Sequence, residues 1–288
     1  MNSARRSLTA RRPTRIGPIM LQIGCQTYTW EMLGERWSGG PAELIETIGA
    51  AGYSGIEITN RMIGGYAHRP AAFGRVLAEH GLELAAFACA SPSGFTEPDQ
   101  LDADLAMVDR ALDFVAAFPG AVLSLGSATV MSAGPRDEKF AAAATFYNAA
   151  GRLGQRAGVP VALHPSSHHD TLLFTRADYD QLFDQLDPDR IGWVPDTGHI
   201  LRGGHDILDT LATYRDRIRY LHLKDVDANG EWRMLGSGIC ETRAVIDLVA
   251  ASPNFNGWLI LEEESDLAAA DPAKAVRQNR ETMRTLVA

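Results

Sequence analysis

Eight short apolar runs, separated by longer amphipathic segments, constrain the fold of this chain more than any other feature. The runs lie at 21–28, 53–58, 82–88, 121–126, 159–164, 190–195, 217–223 and 257–262. The segments between them are helix-like; residues 41–52, for example, begin with proline and end with glycine. Near-continuous apolar strands that alternate with helices are typical of a parallel sheet buried on both faces. Eight such units over roughly 260 residues predict a single (β/α)8 TIM barrel at 20–288.

A dinucleotide-binding open sheet is the main alternative for a chain of this length. The first run leads into Thr27-Tyr-Thr-Trp30 and not into the glycine-rich turn that such a sheet needs. No shift in composition divides the chain, so we expect one barrel domain.

Charge and composition limit the partners of the protein. The formal net charge of −9 disfavours a nucleic-acid surface. Residues 1–19 carry five arginines and no acid, and no apolar segment follows them, so we interpret them as a disordered leader and not as a secretory signal. No window approaches the roughly 18 apolar residues of a membrane span. With three isolated cysteines, the sequence predicts a cytoplasmic protein that contacts neither membrane nor nucleic acid. A homodimer or homotetramer is left open.

Polar residues stand at the ends of five of the apolar runs. They are Glu57, His164, Asp196, His222 and Glu262. Strand C-terminal ends line the active site of a TIM barrel, and polar groups without partners are costly to bury there. The last four come from consecutive strands and make a plausible shell for one divalent cation. We expect Mn²⁺ first, with Co²⁺, Mg²⁺, Fe²⁺ or Zn²⁺ as alternatives.

Three segments resemble a known family. Val194-Pro-Asp-Thr-Gly-His-Ile200, Tyr220-Leu-His-Leu-Lys-Asp225 and Leu261-Glu262 are similar to the sugar isomerase/epimerase superfamily of xylose-isomerase-like barrels, and to its inosose dehydratase branch in particular. The likeness covers roughly residues 20–286. It implies that His164, Asp196, His222 and Glu262 hold the metal and that His199 contacts substrate hydroxyls.

One position departs from the pattern of ketose epimerases in this superfamily. Such enzymes usually have a glutamate before the proline of strand five, where it acts as ligand and base. Here the position is His164, followed by Pro165. Because a metal-bound imidazole is a poor base, the departure disfavours a mechanism with two symmetrical glutamates.

Several residues are candidates for proton transfer. Glu262 or a loop histidine, either His168 or His169, would remove an α-proton, and Lys224 or His199 would assist departure of a hydroxyl. Lys224 lies two residues after His222, on the same strand face, where its pKa can be depressed. The alternative is a salt bridge from Lys224 to Glu262 or Asp225.

Further residues are candidates for contact with the substrate. Glu57 would bind substrate or support a ligand, with a purely structural role as the alternative. His169 would contact the substrate, with the alternative that one of His168 and His169 is only solvated. Trp30 would form an apolar wall for a sugar ring. Arg202 and Arg233 follow strands six and seven and would contact polar oxygens, unless they are merely solvated.

The function predicted is a metal-dependent lyase that dehydrates a keto-cyclitol or keto-sugar by α-proton abstraction and β-elimination. A ketose or keto-sugar epimerase or isomerase on the same site is the alternative. An endonuclease IV-like nuclease would share the fold, but the acidic body disfavours it. A non-enzymatic subunit also stays open.

Overall fold

The computed structural model describes residues 19–168 and 170–287, which form ten strands and eleven α-helices. The arginine-rich arm at 1–18 and His169 lie outside the described residues. The strands are β1 (Gln22–Gln26), β2 (Gly55–Thr59), β3 (Glu83–Cys89), β4 (Val122–Leu125), β5 (Val161–Leu163), β6 (Ile191–Trp193), β7 (Leu221–Leu223), β8 (Asp225–Val226), β9 (Trp232–Arg233) and β10 (Trp258–Leu261). The helices are α1 (Tyr28–Glu31), α2 (Pro41–Ala50), α3 (Pro70–Glu79), α4 (Leu101–Val115), α5 (Arg136–Ala157), α6 (Arg176–Phe183), α7 (Thr197–Arg202), α8 (Ile207–Thr213), α9 (Thr242–Ala250), α10 (Asp266–Ala270) and α11 (Pro272–Leu286).

Eight of the strands form the barrel predicted from the apolar runs. They pair in parallel in the order β6-β5-β4-β3-β2-β1-β10-β7, and each overlaps one of the eight runs. The ring closes between β6 and β7 through two isolated parallel bridges, Trp193 with Ile218 and Asp196 with His222. We call this closure the β6/β7 seam. The fold is therefore a TIM barrel, as the sequence predicts.

Local sequence explains where the outer helices begin and end. Pro41, Pro70 and Pro272 occupy the first positions of α2, α3 and α11, where the missing N–H has no helical partner to lose. Helix α5 stops at Gly158, which adopts the left-handed conformation (φ 70°) that side chains disfavour. The strands between these helices are almost wholly buried, because helices cover the outside of the ring and side chains fill its inside. No helix in the described ranges is long and apolar enough to cross a membrane.

Two additions to the barrel shape its C-terminal rim. After β7, strands β8 and β9 form an antiparallel hairpin that the sequence did not predict. The buried carboxylate of Asp225 accepts hydrogen bonds from the backbone N–H groups of Gly236, Gly238 and Cys240, each at 3.0 Å. On another side of the rim, Lys139 Nζ donates to Glu97 at 2.8 Å and joins the first turn of α5 to the loop that follows β3. These contacts fix the loops around the barrel mouth.

Candidate metal centre

Four side chains from the ends of β5, β6, β7 and β10 converge at the barrel mouth. His164, Asp196, His222 and Glu262 each direct one ligand-type atom to a common point, with these atoms within 4.8 Å of one another. His222 Nδ1 lies 3.0 Å from His164 Nε2 and 2.7 Å from Glu262 Oε2. Asp196 Oδ2 lies 3.7 Å from both His164 Nε2 and His222 Nδ1. The structure thus brings together the four residues that the sequence grouped.

The chemistry of this cluster fits a divalent cation. The Oδ1 atom of Asp196 accepts the backbone N–H of His199 at 2.8 Å, whereas Oδ2 is buried and has no hydrogen-bond donor. A buried carboxylate oxygen without a donor is costly, and this one faces two imidazole nitrogens. Two imidazoles and two carboxylates form a donor set suited to Mn²⁺, Fe²⁺, Co²⁺ or Zn²⁺.

The cluster carries an excess of negative charge. Burial would lower the pKa of His222, but Glu57, Asp196 and Glu262 together raise it well above its usual value. Burial would raise the pKa of Glu262, but the Lys224 ammonium and His222 hold it well below its usual range. The carboxylates are therefore ionised, and their field favours positive charge at the point where the four side chains meet.

Lys224 is held in an ion-pair network and is not poised as a proton donor. Its Nζ donates to Glu262 Oε1 at 3.0 Å and to Glu264, and lies 4.3 Å from the centre of the Trp232 ring. Burial would lower the pKa of Lys224, but Glu262 and Glu264 raise it. The expectation of a depressed pKa is wrong, because two carboxylates outweigh the desolvation of one ammonium. Of the two salt bridges considered from sequence, the structure forms the one to Glu262.

His199 is fixed in one protonation pattern by its neighbours. Its Nδ1 lies 3.0 Å from the backbone N and 2.8 Å from the hydroxyl of Ser167. A backbone N–H can only donate, so Nδ1 must accept and the ring proton resides on Nε2. Burial lowers the pKa of His199 well below its usual value, so the ring is neutral.

His168 lies at the edge of the cluster. Its side chain is about half exposed, and its Nε2 lies 3.6 Å from Glu264 Oε2. Burial of the ring lowers the pKa of His168, which leaves it neutral at pH 7 and able to accept a proton. His169, its partner in the sequence prediction, is outside the described residues.

A cavity of about 360 Å³ opens beside the cluster. His164, His168, His199 and Glu262 are among the residues that line it. The lining also contains further hydrogen-bonding residues, namely Glu31, Thr59, Asn60, Arg61, Ser91, Ser127 and Thr129, together with apolar residues such as Phe95 and Met131. The cavity therefore combines apolar walls with several hydrogen-bonding groups, which suits a small polyhydroxylated ligand.

The predicted substrate contacts are only partly placed at this cavity. Trp30 is 3% exposed, packs into the core and does not line the cavity, so its prediction as a wall is wrong. Arg202 stacks on Trp232 at 4.5 Å, and Arg233 pairs with Asp227 at 2.6 Å; neither reaches the cavity wall. Glu57 does line it, but its carboxylate is occupied by Gln26 and His222, as described below.

Three residues near the site were not predicted from the sequence. Glu264 could have been found, because it follows Glu262 by two positions. Tyr28 lines the cavity, where burial and nearby carboxylates raise its pKa to about 12. Trp232, in the β8–β9 hairpin, packs against Lys224 and His199. No pattern in the sequence predicts this hairpin.

Comparisons with known proteins agree with this fold. The family profile described as xylose isomerase-like TIM barrel matches residues 45–286. An inosose dehydratase of Lacticaseibacillus casei is 32% identical over 142 residues, which cover 42% of this chain and 47% of that protein. An inosose dehydratase of Geobacillus kaustophilus (strain HTA426) is 31% identical over 156 residues, covering 48% and 50%. The alignments thus span about half the length of these relatives.

Solved structures match over a larger share of the chain. The apo form of a 3-keto-D-glucoside 4-epimerase from E. coli gives a TM-score of 0.70 at 19% identity, over 92% of this chain and 99% of that one. The IolI protein, with a bound zinc atom, gives a TM-score of 0.73 at 14% identity, over 92% and 97%. At these identities the likeness concerns the fold alone.

Proposed function

The chain belongs to the xylose isomerase-like TIM barrel family, and from this premise we propose that it is a divalent-metal-dependent lyase that dehydrates a keto-cyclitol or keto-sugar. The observation that carries the proposal is the buried cluster of His164, Asp196, His222 and Glu262, with one Asp196 oxygen lacking any hydrogen-bond donor. The inosose dehydratases among the relatives support the choice of dehydration.

The four clustered residues would hold one divalent cation, with Mn²⁺ expected first. When bound, the cation supplies Lewis-acid polarisation of the substrate's keto oxygen. Lys224 would keep Glu262 oriented through its bond to Oε1, and it would add a fixed positive charge beside the oxygen that becomes negative.

His168 is the residue that we propose as the base. It lines the cavity, does not belong to the four-residue cluster and is neutral, whereas Glu262 is already shared between the cluster and Lys224. His168 would take the α-proton and, once protonated, return it to the departing β-hydroxyl. Hydrogen and hydroxyl then leave together as water, and a carbon–carbon double bond forms.

His199 would act as a hydrogen-bond donor. Because Ser167 occupies its Nδ1, the Nε2–H group remains available to a substrate oxygen. A neutral imidazole can stabilise an oxygen that gains negative charge without transferring its proton. This role explains why His199 is buried and held in one tautomer.

The test is the fate of 2-keto-inositol with metal-free protein reloaded with Mn²⁺. We expect release of water and growth of the enol absorbance of a dehydrated dione, with no product from the metal-free protein. The assay is also run in D₂O. If it returns only stereoisomers of the substrate, with deuterium at the inverted carbon and no loss of water, the protein is an epimerase and the dehydratase proposal is wrong. The same assay on Asp196→Asn serves as the control for metal dependence.

A further inference from the structure

A chain of buried hydrogen bonds runs from β1 through β2 to His222. The backbone N–H of Tyr28 donates to Gln26 Oε1 at 2.8 Å, and Gln26 Nε2 donates to Glu57 Oε1 at 3.0 Å. Glu57 Oε2 in turn lies 2.8 Å from His222 Nε2. Gln26, Glu57 and His222 are 5%, 1% and 0% exposed, so water does not compete for these bonds.

The direction of every bond in this chain follows from its first member. A backbone N–H only donates, so the amide oxygen of Gln26 faces Tyr28 and its NH2 group faces Glu57. An ionised carboxylate only accepts, so His222 Nε2 must carry a proton and donate it to Glu57. The other ring nitrogen, Nδ1, is the one that lies 3.0 Å from His164 Nε2 and 2.7 Å from Glu262 Oε2.

We propose that Glu57, held by Gln26, is a positioning residue that keeps a proton on His222 Nε2 and turns Nδ1 toward the metal centre. The proposal rests on the metal centre of the proposed function. It gives Glu57 a role other than substrate binding, since its two oxygens are already occupied by Gln26 and His222. A histidine ligand whose other N–H is held by a carboxylate has a fixed orientation and higher basicity.

Glu57→Gln tests this arrangement because it keeps the size of the side chain and breaks the pattern of donors. If the new amide turns its oxygen to His222, its NH2 group meets the NH2 group of Gln26. If it turns its NH2 group to His222, Nε2 must accept and the neutral ring carries its proton on Nδ1, which then cannot ligate. Both orientations oppose metal binding.

A second variant restores the pattern without restoring the original residues. In Gln26→Glu/Glu57→Gln, the amide at 57 accepts from His222 Nε2 and donates to the carboxylate at 26, which still accepts from Tyr28. Glu31→Gln is the matched control. Glu31 is another carboxylate beside the cavity, but it contacts Thr59 at 2.5 Å and Arg61 at 3.6 Å and not a member of the four-residue cluster.

The experiment titrates the metal-free full-length proteins with Co²⁺ and Mn²⁺ by calorimetry. Loss of such a supporting carboxylate costs about 10–100-fold in metal affinity, and we expect this loss for Glu57→Gln, recovery of most of it in the exchanged double variant, and no change in Glu31→Gln. If Glu57→Gln binds as tightly as the unmodified protein, the proposal is overturned. If that variant does not fold, the double variant decides, because failure of the double variant to bind contradicts the donor pattern.

A second readout does not depend on metal. In protein labelled with ¹⁵N-histidine, the Nε2–H signal of His222, assigned from its loss in His222→Gln, should be present with and without Zn²⁺ and should shift or vanish in Glu57→Gln. If the Nε2–H signal of His222 has the same chemical shift and intensity in Glu57→Gln, Glu57 does not have the positioning role. If the unmodified protein binds none of these ions, the proposed function fails, and this signal still decides the role of Glu57.

Discussion

Asp196→Asn separates two tasks that one carboxylate performs in this structure. The Oδ1 atom of Asp196 caps helix α7 by accepting the N–H of His199, and Oδ2 faces the imidazoles of His164 and His222 at 3.7 Å. Asparagine caps helices about as well as aspartate, so the variant keeps the helix start. It replaces the candidate ligand oxygen by an NH2 group that cannot bind a cation.

The size of the effect follows from that substitution. Changes that only support a ligand cost about 10–100-fold in metal affinity, so loss of a ligand itself should exceed about 100-fold, or ~2.7 kcal/mol. The melting temperature of the metal-free protein should change little. Asp196→Ala, by contrast, should also lose about 1 kcal/mol of stability, because the cap is gone.

Metal analysis and calorimetric titration with Co²⁺ measure the first effect, and thermal melts in EDTA measure the second. An Asp196→Asn protein that retains a full equivalent of metal at micromolar concentration would refute the assignment of Oδ2. If the asparagine and alanine variants melt at the same temperature, the hydrogen bond from the His199 N–H to residue 196 does not stabilise helix α7.

Three further outcomes follow from contacts described above. Lys224→Met should reduce kcat by about 10²-fold or more while KM changes far less, since the fixed charge acts on the developing oxyanion; a rise in KM as large as the fall in kcat would contradict this. Hydrogen bonds from Lys139 and Ser132 lower the pKa of Glu97 to about 2 from its usual 4.5. The stability that Glu97 adds is therefore complete above pH 4.5 and is lost as the pH falls through about 2; Glu97→Gln should flatten this acid limb in urea unfolding measured at each pH. Asp225→Ala should lower the free energy of unfolding by about 3 kcal/mol, because three loop N–H groups lose their acceptor at about 1 kcal/mol each, and an effect below 1 kcal/mol would show that water replaces the carboxylate.

The barrel and the four-residue cluster were accessible from the sequence for a physical reason. In a parallel barrel every strand points its C-terminal end to the same rim, so the end of an apolar run also gives the position of a side chain in space. That rule places His164, Asp196, His222 and Glu262 together without any knowledge of loops. The apolar runs themselves are visible because each strand is buried on both faces.

The remaining parts of the site depend on contacts that no strand rule predicts. Trp30 was expected at the cavity, but it lies in the one-turn helix α1, which turns it into the core and leaves Tyr28 at the cavity. Lys224 was placed on the correct face, but its pKa is raised by Glu262 and Glu264 together, and how closely these carboxylates approach its ammonium depends on the path of the chain after β10. Whether a charged residue at a rim is free or paired is decided by loops, and loop conformation is weakly encoded in local sequence.

A metal bound at the β6/β7 seam would also lengthen the lifetime of the folded protein. Elsewhere in the described part of the chain, neighbouring barrel strands share ladders of three to five paired positions, whereas β6 and β7 meet through two isolated bridges. Asp196 and His222 are the two residues of the second bridge. A cation bound by both would fasten the ring at its least connected line and, at a free concentration 1,000 times its Kd, would oppose opening by about 4 kcal/mol. Protein molecules without metal would then unfold first at this seam and be cleaved by proteases sooner. A cell with little of the metal would therefore degrade the metal-free protein and retain the metal-bound protein.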